Sequence, residues 1–237
     1  MLKRGDATAL RREARGARMA GPPLAPAVLA STPGALTSRL ITGRPRRLRR
    51  LDAHRARALG RVLARVHHRR ATATGGLPGW PSRVTGLAAY ARGRGRDALA
   101  RATTTRERAL VQRATGAAAA AAGAAPSVAQ PFALLHGDLV EDNVVWPAAG
   151  GDPVLVDWEF WRMGDPAEDL AYLLALGDLP PAVARPVLQG YGADTALARR
   201  VDEWRALVLV DAALWHRAHG HPHAAGPLMD RAAAALD

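Results

Sequence analysis

The chain has 237 residues, enough for one large domain or two small ones sharing an interface, and its lack of cysteine excludes disulfides and thiolate metal sites. No run approaches the roughly 20 apolar residues of a membrane span and the opening residues lack a signal peptide's apolar centre, so a cytoplasmic protein with no membrane partner is expected. The net charge of +12 is polarised, with 18 Lys and Arg against three acids in residues 1–70 and seven Arg against 16 acids in residues 130–237, which argues for phosphates meeting one end and a metal ion or cationic ligand the other.

Residues 1–3 read as a strand and 4–6 as a turn, with Asp6 or Thr8 capping a helix that runs to about residue 19 and stops at Gly21-Pro22-Pro23. Lys3 is the only lysine among 33 basic residues. A compact, mobile ammonium suits a phosphate where a planar guanidinium does not. Strands are predicted over 24–30 and 35–41, joined at Ser31-Thr32-Pro33-Gly34, with 42–45 as a hinge leaving the small sheet. The arginine run from Arg44 to Arg50 could meet an anion, but it has no interleaved aromatics, so no specific nucleic-acid partner is expected.

From residue 51 the period becomes helical, with Leu59, Val62, Leu63, Val66 and His67 on one face. Residues 71–104 are rich in Gly, Thr and Arg and poorly patterned, with a short helix expected over 84–90. Another helix is predicted over 105–122, ending at 123–126.

The chemistry concentrates in the next stretch. Short apolar runs at 144–147 and 153–156 flank Gly150 and Gly151, whose freedom at positive φ suits a tight reversal, so the runs read as a hairpin. Asn143 enters its first strand where Asp157 leaves its second, and Asp138 lies five residues upstream of Asn143. Two carboxylates and an amide can therefore face one small volume. Hard oxygen ligands of this kind suit Mg²⁺, which keeps waters and substrate phosphates in its shell, and the constellation predicts phosphoryl transfer.

Asp165-Pro166 opens a helix carrying Leu170, Leu173 and Leu174. Further helices are expected over 181–191, 194–219 and 223–236. Asp211 shares a face with Trp204, Leu207, Val208 and Trp215. A carboxylate on an apolar stripe needs a partner, either an arginine or a substrate amine. His216, His219, His221 and His223 are interrupted by Gly220 and Pro222, which fits a helix end better than a zinc site.

His136-Gly137-Asp138 with Asn143, then Val156-Asp157-Trp158-Glu159, then Gly164-Asp165-Pro166 with Asp169-Leu170-Ala171, resembles the aminoglycoside phosphotransferase and choline kinase family of small-molecule kinases. The resemblance implies an α+β, protein-kinase-like fold of two lobes. A truncated N-terminal lobe would span residues 1–43, and a mainly helical C-terminal lobe over 44–237 would carry the catalytic hairpin. It also implies ATP and Mg²⁺ as cofactors. Asp138 is then the catalytic base, and Asn143 and Asp157 hold Mg²⁺. Lys3 meets the ATP phosphates with Glu13 as its helix partner, and the backbone of Arg39, Leu40 and Ile41 reads adenine. His136 and Asp169 support the loop.

Only six residues separate Asp157 from Gly164, too few for the segment on which protein kinases lay a peptide, so a small-molecule acceptor is expected. Glu159 and Asp211 are candidate contacts for an amine-bearing acceptor such as an aminoglycoside-like antibiotic or an amino alcohol. The family carries a glycine-rich loop ahead of the lysine, whereas here the lysine is the third residue. Three readings stand open: a start placed too late, a shortened working lobe, and a kinase relative that binds ligand without a complete ATP site. The oligomeric state is open too.

Overall fold

The computed structural model describes residues 1–71, 86–124 and 132–237. Strand β1 (Leu2–Arg4) is followed by α1 (Ala7–Ala20), where the Asp6 carboxylate caps the helix by accepting from the Thr8 and Ala9 amides at 2.9 and 2.8 Å. Strands β2 (Val28–Thr32) and β3 (Ala35–Ser38) form the expected hairpin. β1 adds to the free edge of β3, giving an antiparallel sheet in the order β1-β3-β2 that aligns Lys3 with Leu36. Leu10 and Ala14 of α1 pack on Leu36 to make a small core. β2 begins later than predicted because Leu24 and Ala25 are buried and the Leu24 carbonyl accepts from the Leu155 amide at 2.9 Å.

Strand β4 (Gly43–Pro45), α2 (Ala53–His67) and β5 (Arg70–Ala71) come next, then α3 (Leu87–Arg101) and α4 (Thr105–Gly123). β6 (Phe132–Leu135) leads to β7 (Val144–Pro147), β8 (Val154–Leu155) and β9 (Arg162–Gly164). Helices α5 (Pro166–Leu176), α6 (Pro181–Tyr191), α7 (Thr195–Ala218) and α8 (Pro222–Ala234) complete the chain. β7 and β8 form the predicted hairpin, with Val144 opposite Leu155. The predicted hinge at 42–45 is instead a strand: β4 pairs with β7, Pro45 opposite Val145, and widens the hairpin to three strands. A third sheet, β5-β6-β9, contains β6, the strand that leads into the loop that carries Asp138. Leu59, Leu63, Leu134, Leu135, Leu170 and Trp204 are among the fully buried side chains of the main core.

The weakly patterned stretch is the larger correction. Where a short helix over 84–90 was expected, α3 has 15 residues; positions 84 and 85 lie outside the described residues. After Leu87 and Tyr90 the helix buries only the small residues Ala91, Gly93, Gly95 and Ala98, and a Cβ on Gly95 would stand 2.1 Å from the Thr115 hydroxyl of α4. Small residues let the two helices close together, so no periodic row of large side chains marks α3. Among the described residues, no helix is long and apolar enough to cross a membrane.

Candidate active site

The loop between β6 and β7 is held from below by one carboxylate. Asp169, fully buried on α5, accepts the His136 amide at 2.7 Å and the Gly137 amide at 2.9 Å, and the His67 ring nitrogen Nε2 lies 3.2 Å from it. Burial alone would raise its pKa, but the His67 hydrogen bond and neighbouring positive charges outweigh that and hold the carboxyl below its usual range. Gly137 has φ +83, and a Cβ there would stand 2.3 Å from the Phe160 carbonyl oxygen, so the turn admits only glycine.

The His136 ring is tied to the backbone on both nitrogens. The Asp138 amide donates to its Nδ1 at 3.3 Å, which makes Nε2 the protonated nitrogen, donating to the Val156 carbonyl at 2.8 Å. The ring packs on Trp158 with centroids 4.6 Å apart. Burial lowers its pKa. A histidine lowered on folding binds protons more readily when unfolded, so stability falls as pH drops below the unfolded value of about 6.5. Urea midpoints at pH 7.5, 6 and 5 are expected to decline, and the decline to flatten in His136→Gln; an equally steep decline in the variant would place the titrating group elsewhere.

Asp138 stands at the top of this loop. Its Oδ2 accepts from Asn143 Nδ2 at 2.9 Å and its Oδ1 from the Tyr172 hydroxyl at 2.8 Å. Each oxygen keeps a further lone pair for an incoming hydroxyl. Burial and the Asp138 charge push the Tyr172 phenol well above its ordinary pKa, so it stays a donor. Tyr172 was missed from the sequence, although it sits one turn after Asp169 and thus on the same face of α5.

Across the hairpin, Lys3 Nζ lies 2.8 Å from Glu13 Oε2 and 2.9 Å from Asp157 Oδ1. Burial works against the ammonium, but these two bonds win and hold its pKa above the ordinary value. Glu13, only 6% exposed, is pushed upward by burial despite Lys3. The two directions pull apart, and the short contact with a firmly charged ammonium favours the ionised pair. Asp157 adopts φ 63 and ψ 66, a left-handed conformation that costs a non-glycine residue about 1 kcal/mol or more and is concentrated at functional sites.

Asn143 Oδ1 and Asp157 Oδ2 have no partner among the described residues, and the Val156 amide bonds the Asn143 carbonyl at 3.0 Å, so the two residues meet at one end of the hairpin. Two hard oxygen donors fit Mg²⁺, whose remaining positions go to water and phosphate. No group of three or more His, Cys, Asp or Glu side chains is poised to hold a metal among the described residues, so protein oxygens alone would not complete the shell.

A cleft of about 480 Å³ opens beside Asp138, lined also by Val140, Phe160, Tyr172, Trp215 and His216. Beneath it runs a buried charge network. Glu168, 1% exposed, meets Arg94 and Arg162 at 2.7 Å each. Asp211, on the wall, meets Arg94 at 3.0 Å and is also paired with Arg101.

The sequence model of the phosphotransferase enzyme family matches residues 4–206. The chain belongs to that family. Viomycin phosphotransferase of Streptomyces vinaceus is 36% identical over 92 residues, which are 37% of this chain and 31% of that relative, so the match spans less than a third of the relative's length. A choline/ethanolamine kinase family protein from Mesorhizobium loti superposes with a TM-score of 0.72 at 23% identity, covering 98% of this chain and 79% of that one. A thermostable mutant of an aminoglycoside phosphotransferase, solved with ADP and hygromycin B, gives 0.68 at 15% identity, covering 98% and 82%. The fold is thus the protein-kinase-like α+β fold of the phosphotransferase family.

The structure brings Lys3, Glu13 and Asp157 into one cluster and Asp138, Asn143, His136 and Asp169 into another, joined through the hairpin. The remaining candidates stand less simply. The Arg39 amide is already donated to the Ala27 carbonyl at 2.8 Å, and Leu40 is 63% exposed beyond the end of β3. Glu159 does not line the cleft; burial and the Asp157 charge raise its pKa, which places it toward the Lys3 cluster. Asp211 has arginine partners, the structural alternative weighed from its place on an apolar stripe. Arg94, Arg162 and Glu168 carried no local signal, because their partners come from distant segments.

Proposed function

We propose that this protein is an ATP- and Mg²⁺-dependent phosphotransferase that moves the γ-phosphoryl group to a hydroxyl of a small molecule in the cytoplasm. The observation that carries this reading is Asp138, oriented by Tyr172 and Asn143 and lining a cleft of about 480 Å³, with Asn143 also at the hairpin end that bears Asp157 and Lys3. In this reading residues 1–43 form the nucleotide lobe and residues 44–237 supply the base and the acceptor cleft. The backbone at Leu40 and Ile41 faces adenine.

Asp138 accepts the hydroxyl proton as the acceptor oxygen attacks the γ-phosphorus in line, and the bond from that phosphorus to the β,γ-bridging oxygen breaks to release ADP. Tyr172 and Asn143 hold the carboxylate in place. Lys3 neutralises phosphate charge, with Glu13 keeping it on α1's side of the sheet. Mg²⁺ held by Asn143 and Asp157 would neutralise the β- and γ-phosphates. Such a transfer asks for positioning and charge more than covalent help. The small molecules named for the relatives, viomycin and hygromycin B, support a small-molecule acceptor. They also make an antibiotic or amino-alcohol acceptor the first class to try.

Calorimetric titration tests the nucleotide side. Mg·ATP is expected to bind with a dissociation constant between about 1 μM and 1 mM, and EDTA to weaken it. An absence of binding heat would end the kinase reading and leave a ligand-binding module.

A further inference from the structure

The charges in the acceptor cleft do not suit a cation. Two of its lining residues are acids: Asp211 is ion-paired with Arg94 and Arg101, and Asp138, held by the neutral donors Tyr172 and Asn143, faces the acceptor hydroxyl. Four arginines line the same space. Arg94 and Arg162 are matched by Glu168 beneath them. Arg12 is different. It makes no ion pair among the described residues; one Nη2 bond to the Trp161 carbonyl at 3.2 Å holds it. Its Nε is buried with no partner among the described residues. The same holds for Arg101 Nε and His216 Nδ1, two further groups of this cleft.

A guanidinium so placed has been taken partly out of water with no acid in ion-pair contact among the described residues; Glu159 acts on it only from a distance, against the like charge of Arg162, and an anion in the cleft would complete it. Arg12 also stands on the acceptor side. Lys3, Glu13, Asn143 and Asp157 do not line this cleft, whereas Asp138, Phe160 and Trp215 do. Phe160 and Trp215 are 37% and 38% exposed and offer an apolar wall.

We infer that the acceptor is a hydroxy compound carrying a carboxylate, which seats against Arg12 while its hydroxyl faces Asp138 and its apolar body lies along Phe160 and Trp215. An ammonium in the same position would meet the Arg12 guanidinium, which no ion pair among the described residues offsets, while the Asp138 carboxylate is taken up by the acceptor hydroxyl. The inference rests on reading this cleft as the acceptor site, and it departs from the amine-bearing acceptors that the acidic C-terminal half had suggested.

The test is calorimetric binding of two matched probes to the full chain with Mg·ADP present: 3-phenyllactate, with hydroxyl and carboxylate, and phenylalaninol, with hydroxyl and amine on the same skeleton. Phenyllactate is expected to bind about tenfold tighter or more, and Arg12→Gln to bring the two within about threefold, as loss of a charge-assisted bidentate contact requires. Arg12→Lys should restore part of the preference. Equal or tighter binding of phenylalaninol by the unaltered protein overturns the inference, as does no phenyllactate heat up to about 10 mM. So does an Arg12→Gln variant that keeps the preference or weakens Mg·ATP instead, which would assign Arg12 to the nucleotide. Failure of Mg·ATP to bind at all would count against the kinase reading, not this one.

Discussion

Asp138→Asn is expected to lower kcat by about 10²- to 10⁴-fold, the usual worth of a positioned general base, while leaving the Mg·ATP dissociation constant unchanged. The substitution is close to isosteric. The remaining carbonyl oxygen can still accept from Asn143, and the new amide can donate to the Tyr172 oxygen, so both contacts of the carboxylate have a replacement. What disappears is the basicity that removes the hydroxyl proton. Asp138→Ala should cost at least as much, because Tyr172 and Asn143 then lose their shared acceptor. Single-turnover kinetics beside calorimetry separates the two effects. Turnover within about threefold of the unaltered protein would mean that another group takes the proton.

Asp169→Ala should destabilise the protein by about 3–5 kcal/mol, with a drop in Tm of roughly 10 °C for a chain of this size. Its carboxylate is fully buried and satisfies the His136 and Gly137 amides as well as His67. Removing it strands two buried N–H groups, each worth about 1–3 kcal/mol when unmade, directly beneath Asp138. Asp169→Asn should lose less, since it keeps one acceptor and sets an NH₂ group against the other amide. The pH dependence carries a sign as well. A carboxyl held below its usual value stabilises fully above about pH 4 and loses that contribution as pH falls through its lower folded value. The acid limb of the stability curve should therefore be steeper in the unaltered protein than in Asp169→Ala. Urea titrations from pH 7 to pH 2 give both results, and a loss below about 1 kcal/mol at neutral pH would remove Asp169 as the brace.

The catalytic stretch was legible because its geometry is local. A hairpin fixes which residues enter and leave at one end, so Asn143 and Asp157 could be paired from spacing alone. Lys3 could be singled out because the rest of the chain uses arginine. Tyr172 was within reach by the same logic, one helical turn beyond Asp169. The limits are equally specific. α3 could not be read at full length because beyond Tyr90 it packs through Ala91, Gly93, Gly95 and Ala98, which leave no period of large apolar side chains. β4 looked like a hinge because a three-residue edge strand is defined by its partner, β7, about 100 residues away.

The charges divide the same way. The sequence by itself singled out Asp138, the pair Asn143 and Asp157, and Lys3, through motif and short-range geometry, the residues for which we propose the roles of base, metal ligands and phosphate contact. The character of the acceptor side was decided by the tertiary structure. The sequence left Asp211 to either an arginine or a substrate amine, and the fold supplies Arg94 and Arg101, 117 and 110 residues upstream. Nothing in the sequence marked Arg12, which the fold leaves without an ion pair among the described residues in the cleft that Asp138 also lines. The physical reason is that a charge's effect depends on which counter-charges share its low-dielectric surroundings, and chain spacing does not encode that.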